Sequence, residues 1–246
     1  MMRTSNPALN EKVFEAVPYY GENAMTIMGA VNKTGFLLVL AVLTGSVTWF
    51  KAAQDPTSAT PWMLIGLFGG FIAALVTIFK KQWAAYTAPL YALLEGLALG
   101  GVSAVFETQY KGIVFMAVFL TFGVLGCLLI AYRSGIIKPT QGFIAGVTAA
   151  TGAIALYYAA SIVMGFFGVA VPLIHSSSTF GILFSAAVVV IAALNLVLDF
   201  HLIQQGAANG APKYMEWYCA FGLMLTLVWL YLEILRLLAK LQSRNR

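Results

Sequence analysis

Charge is what this sequence has least of. Only 9% of its 246 residues are charged, against about 25% in an ordinary soluble domain, while 61% are hydrophobic. A soluble chain of this length cannot hide so much apolar surface, so the composition excludes an ordinary globular domain and predicts a polytopic membrane protein. Cysteine is nearly absent. Cys127 and Cys219 both fall in apolar runs, which argues against a disulfide framework or a zinc site. Also missing are an HExxH, a serine elbow with its partners, a P-loop and a dinucleotide fingerprint. No catalytic set remains, and the expectation is a non-enzyme without a cofactor. The net charge is +5, but no basic cluster is interleaved with aromatics, so nucleic acid is not expected as a partner. The excess of Lys and Arg points instead to cytoplasmic loops and anionic lipid. The N-terminus lacks a basic start followed by an apolar core and a small-residue cleavage site, so no signal peptide is read.

What the sequence does have is long apolar runs. Seven occur, at roughly 34–50, 62–79, 90–106, 113–132, 143–168, 180–203 and 218–241, and each approaches the length of a membrane-spanning helix. Strands of an outer-membrane barrel would alternate apolar and polar residues, and these runs do not. The fold class expected is therefore an all-α membrane protein, a seven-transmembrane-helix bundle. Three regions are predicted: a polar N-terminal segment over 1–33, a transmembrane domain over 34–241 and a basic tail over 242–246. Trp62, Trp83, Trp217 and Trp229 read as a membrane-interface belt, and His175 and His201 as interfacial residues.

Orientation follows from the cations near the span ends. With the N-terminus cytoplasmic, the inside holds Arg3, Lys12, Lys33, Lys80, Lys81, Arg133, Lys138 and Lys213. The outside then holds Lys51 and Lys111 together with Arg236, Lys240, Arg244 and Arg246. The loops favour this direction and the tail opposes it. Either seven full spans form, or the last helix is re-entrant; seven full spans are preferred.

Among the acids, Glu11, Glu15, Glu22, Asp55, Glu107 and Glu216 lie in the tail or loops, whereas Glu95, Asp199 and Glu233 lie within spans. An ionised side chain at the bilayer centre costs about 2.5–3.5 kcal/mol on insertion scales, so such a group is expected to face the bundle interior, to find a partner or to be protonated. Counting 1.5 Å per residue from the cytoplasmic face puts Glu95 about 9 Å deep, Asp199 about 6 Å, Thr226 about 12 Å and Glu233 about 22 Å. Glu95 and Asp199 share a level, and Thr226 suits Asp199 better than Glu233 does. Asn195, one turn before Asp199, can donate to its carboxylate. Glu216 is close as well if the last helix starts at Pro212. Gly96 and Gly100 beside Glu95, and GLFGG at 66–70, let helices approach closely. Two carboxylates brought together share a proton and act as a pH sensor or gate. When both are ionised, their hard oxygens suit Ca²⁺.

Each residue also has a plainer reading. Glu95 is then a protonated acid bonded to a carbonyl of the next helix, Glu233 a local ion pair with Arg236, Asp199 an interfacial helix-end residue, and the glycine patches simple packing.

Several stretches resemble the Bax inhibitor-1 family in its bacterial YccA-like branch. They are RTSNPALNEKVF, MTIMGAVNKTGFLLVL, LLEGLALGGVS, ALNLVLDFHLIQQG and EWYCAFGLMLTLVWLYLEILRLLAKL, and together they cover nearly the whole chain. The resemblance implies seven transmembrane helices, the last enclosed by the other six, in a bacterial inner (plasma) membrane. It implies a passive, pH-sensitive Ca²⁺ leak in which two aspartates on the last two helices share protons and hold the pathway shut. Asp199 matches the first of them. Alignment on Leu-Tyr-Leu gives Glu233 for the second, and alignment on Leu-Arg-Leu-Leu gives Thr226. The family's arginine near the pair has no counterpart in the second span, and Glu95 or Glu216 is a candidate replacement for the missing acid. The gating set is thus Asp199, Glu95 and Glu233, supported by Asn195, Thr226 and Glu216, with Ca²⁺ passing at Asp199. Rival functions are a modulator binding a membrane protease or other membrane protein, a proton-coupled small-solute transporter, and an intramembrane enzyme.

Overall fold

The computed structural model describes residues 24–168, 176 and 178–244. His175, the acids Glu11, Glu15 and Glu22, and the cations Arg3, Lys12 and Arg246 lie outside them. The described residues form seven helices long and apolar enough to cross a membrane: α1 (Ile27–Gln54), α2 (Pro56–Phe79), α3 (Ala84–Gln109), α4 (Ile113–Arg133), α5 (Gln141–Phe166), α6 (Thr179–Ala208) and α7 (Met215–Arg244). There is no strand among them; one isolated antiparallel bridge joins Ala24 and Pro212. Phe71, Phe79, Phe119, Ile130, Leu156 and Phe166 are exposed, as suits helices solvated by lipid. The protein is an integral, multi-pass membrane protein.

Every helix that begins earlier or ends later than its apolar run does so for a local reason. The Thr26 hydroxyl accepts from Gly29 N–H at 2.9 Å and caps α1, so the helix takes in residues 27–33 of the expected polar segment. Asp55 closes α1 and caps α2 by accepting from Thr57 N–H; its exposed carboxyl is held below the usual carboxylate range, chiefly by the Thr57 hydroxyl. The residues ahead of Pro89 are helical as well, entered through a short 3-10 turn at Lys81–Trp83. At the far end α7 runs unbroken to Arg244, taking in part of the expected tail. At 1.5 Å per residue its length is about 45 Å, enough for a full crossing. Gly112 (φ 81°) and Gly210 (φ 64°) take the left-handed turns before α4 and α7, a conformation that a β-carbon disfavours.

The chain divides into two compact units. Among the described residues, one comprises those of 112–200 and 226–244; the other comprises 24–111 and 201–225. In the second, α3 packs on α1 and α2 through small residues. Gly96 lies against Ala41 and Thr44, Gly100 against Gly45, and Gly66 against Leu94 and Ala98. A β-carbon on Gly100 would stand 2.8 Å from Gly45 Cα, so the expected close approach at these glycines is realised. In the first unit Leu198 of α6 packs with Ile144 and Val147 of α5, and Tyr132 of α4 meets Phe200 with ring centroids 5.9 Å apart.

Candidate functional site

Asp199 is fully buried, within a stretch of α6 (195–200) that is buried on every side. A helix closed in all round belongs to an interior, so the reading of Asp199 as an interfacial helix-end residue is replaced. Because α6 continues to Ala208, Asp199 sits about 14 Å from that end at 1.5 Å per residue. The same extension of α3 puts Glu95 about 16 Å from Ala84, and Thr226 lies about 16 Å into α7.

The Asn195 amide donates to Thr151 Oγ1 on α5 at 2.8 Å and to its own-helix carbonyl of Ile191 at 2.8 Å. It thereby fixes α6 to α5 one turn from Asp199, a tether that sequence reading did not anticipate. Thr226, buried on α7, belongs to the same compact unit as Asp199. Asp199 is flanked along α6 by the buried residues Leu196, Val197, Leu198 and Phe200. Among the described residues no three His, Cys, Asp or Glu side chains gather as a metal-ligand set. A Ca²⁺ ion passing Asp199 would be cargo rather than a resident cofactor.

Glu233 lies in the same unit and is buried. Its Oε1 accepts from the Tyr158 hydroxyl at 2.9 Å and from Arg236 Nη1 at 2.8 Å. Arg236 Nη1 also donates to the Tyr158 oxygen at 3.0 Å, closing a triangle between α5 and α7. The local pair with Arg236 is thus present, and Tyr158 makes it an interhelical one. One turn further on, buried Lys240 donates to Ser185 Oγ at 2.8 Å and to the Gly181 carbonyl at 3.1 Å, tying α7 to α6. Lys240, expected among the outside cations of the C-terminal end, is instead buried, and Tyr158 was not singled out in the sequence.

The other two acids belong to the other unit. Glu95 is half-buried and accepts from Tyr91, one turn earlier on α3. A β-carbon on Gly70 of α2 would stand 3.2 Å from its Oε2, so this glycine gives the carboxylate room. Glu216, expected in a loop, is the second residue of α7 and is fully buried. It accepts from the Thr26 N–H at 2.8 Å and the Thr26 hydroxyl at 2.9 Å, and pairs with Lys33 and, at 3.1 Å, with Lys213. Gly29 has no side chain because a β-carbon there would collide with this carboxylate. The acid sits in the first turn of α7, where the helix dipole also favours negative charge. A carboxylate so fully occupied forms a structural clasp between α1 and α7.

Residues 6–243 match the sequence model of one family, described as Bax inhibitor 1 like. No curated protein and no solved structure gives a match.

Proposed function

The chain belongs to the Bax inhibitor 1 like family, and from that premise we propose that it forms a pH-sensitive Ca²⁺ leak in a bacterial inner membrane, controlled by the protonation of Asp199. The observation that carries this reading is the complete burial of that carboxylate in a stretch of α6 closed in on every side. Ionised, it must draw water or a cation into an apolar layer; protonated, it sits there at far lower cost. Such a group converts pH into two states of the same helix. One turn before Asp199, the Asn195 amide ties α6 to Thr151 of α5 and so steadies the helix that carries the carboxylate. The reading uses no cofactor and no catalytic step.

The burial of more than half of the apolar window of α7 supports taking the last helix as the enclosed one. Lys33 and Lys213 meet on one carboxylate, which supports placing both, and with them the N-terminus, on the cytoplasmic side.

The test is Ca²⁺ flux into dye-loaded vesicles reconstituted with the protein and scanned over pH. Wild type is expected to show a pH-dependent flux, and Asp199→Asn a flux that no longer responds to pH. A substituted protein with the wild-type pH profile removes Asp199 from the role, and the absence of flux from wild type removes the channel itself.

A second reading, a modulator that binds a membrane protease or another membrane protein, draws on α5. That helix buries only 6% of its apolar window, and Gly142, Gly146 and Gly152 on it face open space. Small residues on an open membrane helix are where another helix packs closely.

A further inference from the structure

The unit that contains α1–α3 carries a cluster of cations that its described acids only partly pair. The first turns of α1 and α7 are joined by the backbone bond from Met25 N–H to the Ala211 carbonyl at 2.7 Å and by the Glu216 clasp. Lys33 Nζ also lies 5.3 Å from the centre of the Trp217 ring, which meets Phe36 edge-on. The turn between α2 and α3 comes to the same end, since Lys81 Nζ lies 5.8 Å from the centre of the Tyr218 ring. Lys33, Lys80, Lys81 and Lys213 therefore share one end of this unit. Glu216 pairs with Lys33 and Lys213. Among the described residues Lys80 and Lys81 pair with no carboxylate. Beside them Trp83 and Tyr86 are 56% and 82% exposed, too open to be core residues and of the type that settles at headgroup level.

Two ammoniums that pair with no carboxylate among the described residues, next to two exposed amphipathic rings at the end of a lipid-crossing helix, make a surface for a phosphate diester whose acyl chains lie along the apolar faces below. We propose that Lys80, Lys81, Trp83 and Tyr86 form a binding surface for an anionic phospholipid headgroup. Lys81 links it to the last helix, because its ammonium rests on the buried ring of Tyr218, two residues after the Glu216 clasp. Headgroup occupancy thus bears on the anchored end of α7. The inference is independent of any ion pathway, and it stands or falls on lipid binding alone.

The test uses the full chain in mild detergent, with the thermal unfolding midpoint measured after addition of phosphatidylglycerol, phosphatidylcholine or soluble glycerol 3-phosphate. Phosphatidylglycerol is expected to raise the midpoint more than phosphatidylcholine, and glycerol 3-phosphate to leave it unchanged. In K80Q/K81Q the difference between the two lipids is expected to fall by about half or more, because each lysine near an anionic surface adds a comparable share. Lys111→Gln, which removes a cation at the other end of α3, is expected to keep the full difference and so controls for net charge. Equal effects of the two lipids overturn the proposal, as does a lipid difference undiminished in K80Q/K81Q. Stabilisation by glycerol 3-phosphate equal to that by phosphatidylglycerol overturns the assignment to lipid. Should K80Q/K81Q not fold, K80R/K81R with native mass spectrometry of bound lipid takes its place. Retention of bound phosphatidylglycerol over phosphatidylcholine supports the surface, and no preference overturns it.

Discussion

On α3 the glycines are occupied ground, and on α4 and α5 they are open. β-Carbons built on Gly96 and Gly100 run into the backbone of α1, and one on Gly66 of α2 runs into α3. Those built on Gly123, Gly126, Gly142, Gly146 and Gly152 meet nothing within 4 Å. The two sets look alike as sequence, small residues spaced along apolar helices. What separates them is the element opposite. In the unit with α1–α3, backbone approaches backbone and dispersion contacts are gained over the whole crossing. In the other unit α5 is held by polar points, Thr151 to Asn195 and Tyr158 to the Glu233–Arg236 pair, together with the apolar contact of Ile144 and Val147 with Leu198. In one unit the close approach of backbones joins the helices; in the other, polar pairs join the open helix α5 to α6 and α7 beside a smaller apolar cluster.

The sharpest way to break this comparison is a matched pair of bulky substitutions. Gly100→Leu must push α3 away from Gly45, and since the obstacle is backbone no side chain can turn aside. Overpacking of this kind costs about 1–3 kcal/mol, and more where backbone is involved. The expected outcome is loss of most folded protein in fluorescence-detected size-exclusion chromatography. Gly146→Leu, made in open space, should leave the elution profile unchanged. Equal damage from both would mean that the open glycines are covered, and the contrast between the units would fail.

The carboxylates give the next contrast. Glu216 is fully occupied by two lysines and both donors of Thr26. Glu233 is held by one tyrosine and one arginine on a single oxygen. Removing one partner from a buried charged cluster leaves the others unsatisfied, at about 3–5 kcal/mol in fully buried cases. Lys33 and Lys213 are partly exposed and water recovers some of this, so Glu216→Ala is expected to destabilise by about 2 kcal/mol. Glu233→Gln keeps a hydrogen-bonding oxygen for Tyr158 and Arg236, and about 1 kcal/mol is expected. Thermal midpoints of the two variants rank them. A larger loss from Glu233→Gln would show that the polar tether of α5, not the clasp at α1, carries more of the fold.

The legibility of the site follows the same divide. Seven apolar runs announce seven helices because a span needs little more than length and hydrocarbon character. Helix ends were harder to read, since Thr26, the turn at Lys81–Trp83 and the first residues of α7 continue or cap helices with residues that resemble loop. That shift alone moved Glu216 from a loop into a helix. Asp199 stands out in sequence as a carboxylate in an apolar run, and its burial agrees with that signal. The partners do not stand out, because Thr151 with Asn195 and Tyr158 with Glu233 are joined only by the fold, and neither residue type signals a partner on its own.

The smallest expected effect does most to separate the two functional readings. Gly146→Ala in open space replaces the residue most costly to order in a helix with the least costly, a gain of about 0.5–1 kcal/mol. If α5 faces only lipid, the purified protein gains that stability and Ca²⁺ flux is unaffected, because a methyl group in hydrocarbon displaces nothing. If the glycine face receives a helix from a partner, the methyl group holds the two backbones apart. The purified protein then gains the same stability, while co-purification of the partner from membranes falls. Both measurements are made on one variant, and the sign of the second decides. A co-purifying protein lost from Gly146→Ala but kept by Asp199→Asn assigns the open face to partner binding. A pH response of the flux lost from Asp199→Asn but kept by Gly146→Ala assigns the buried carboxylate to control of permeation.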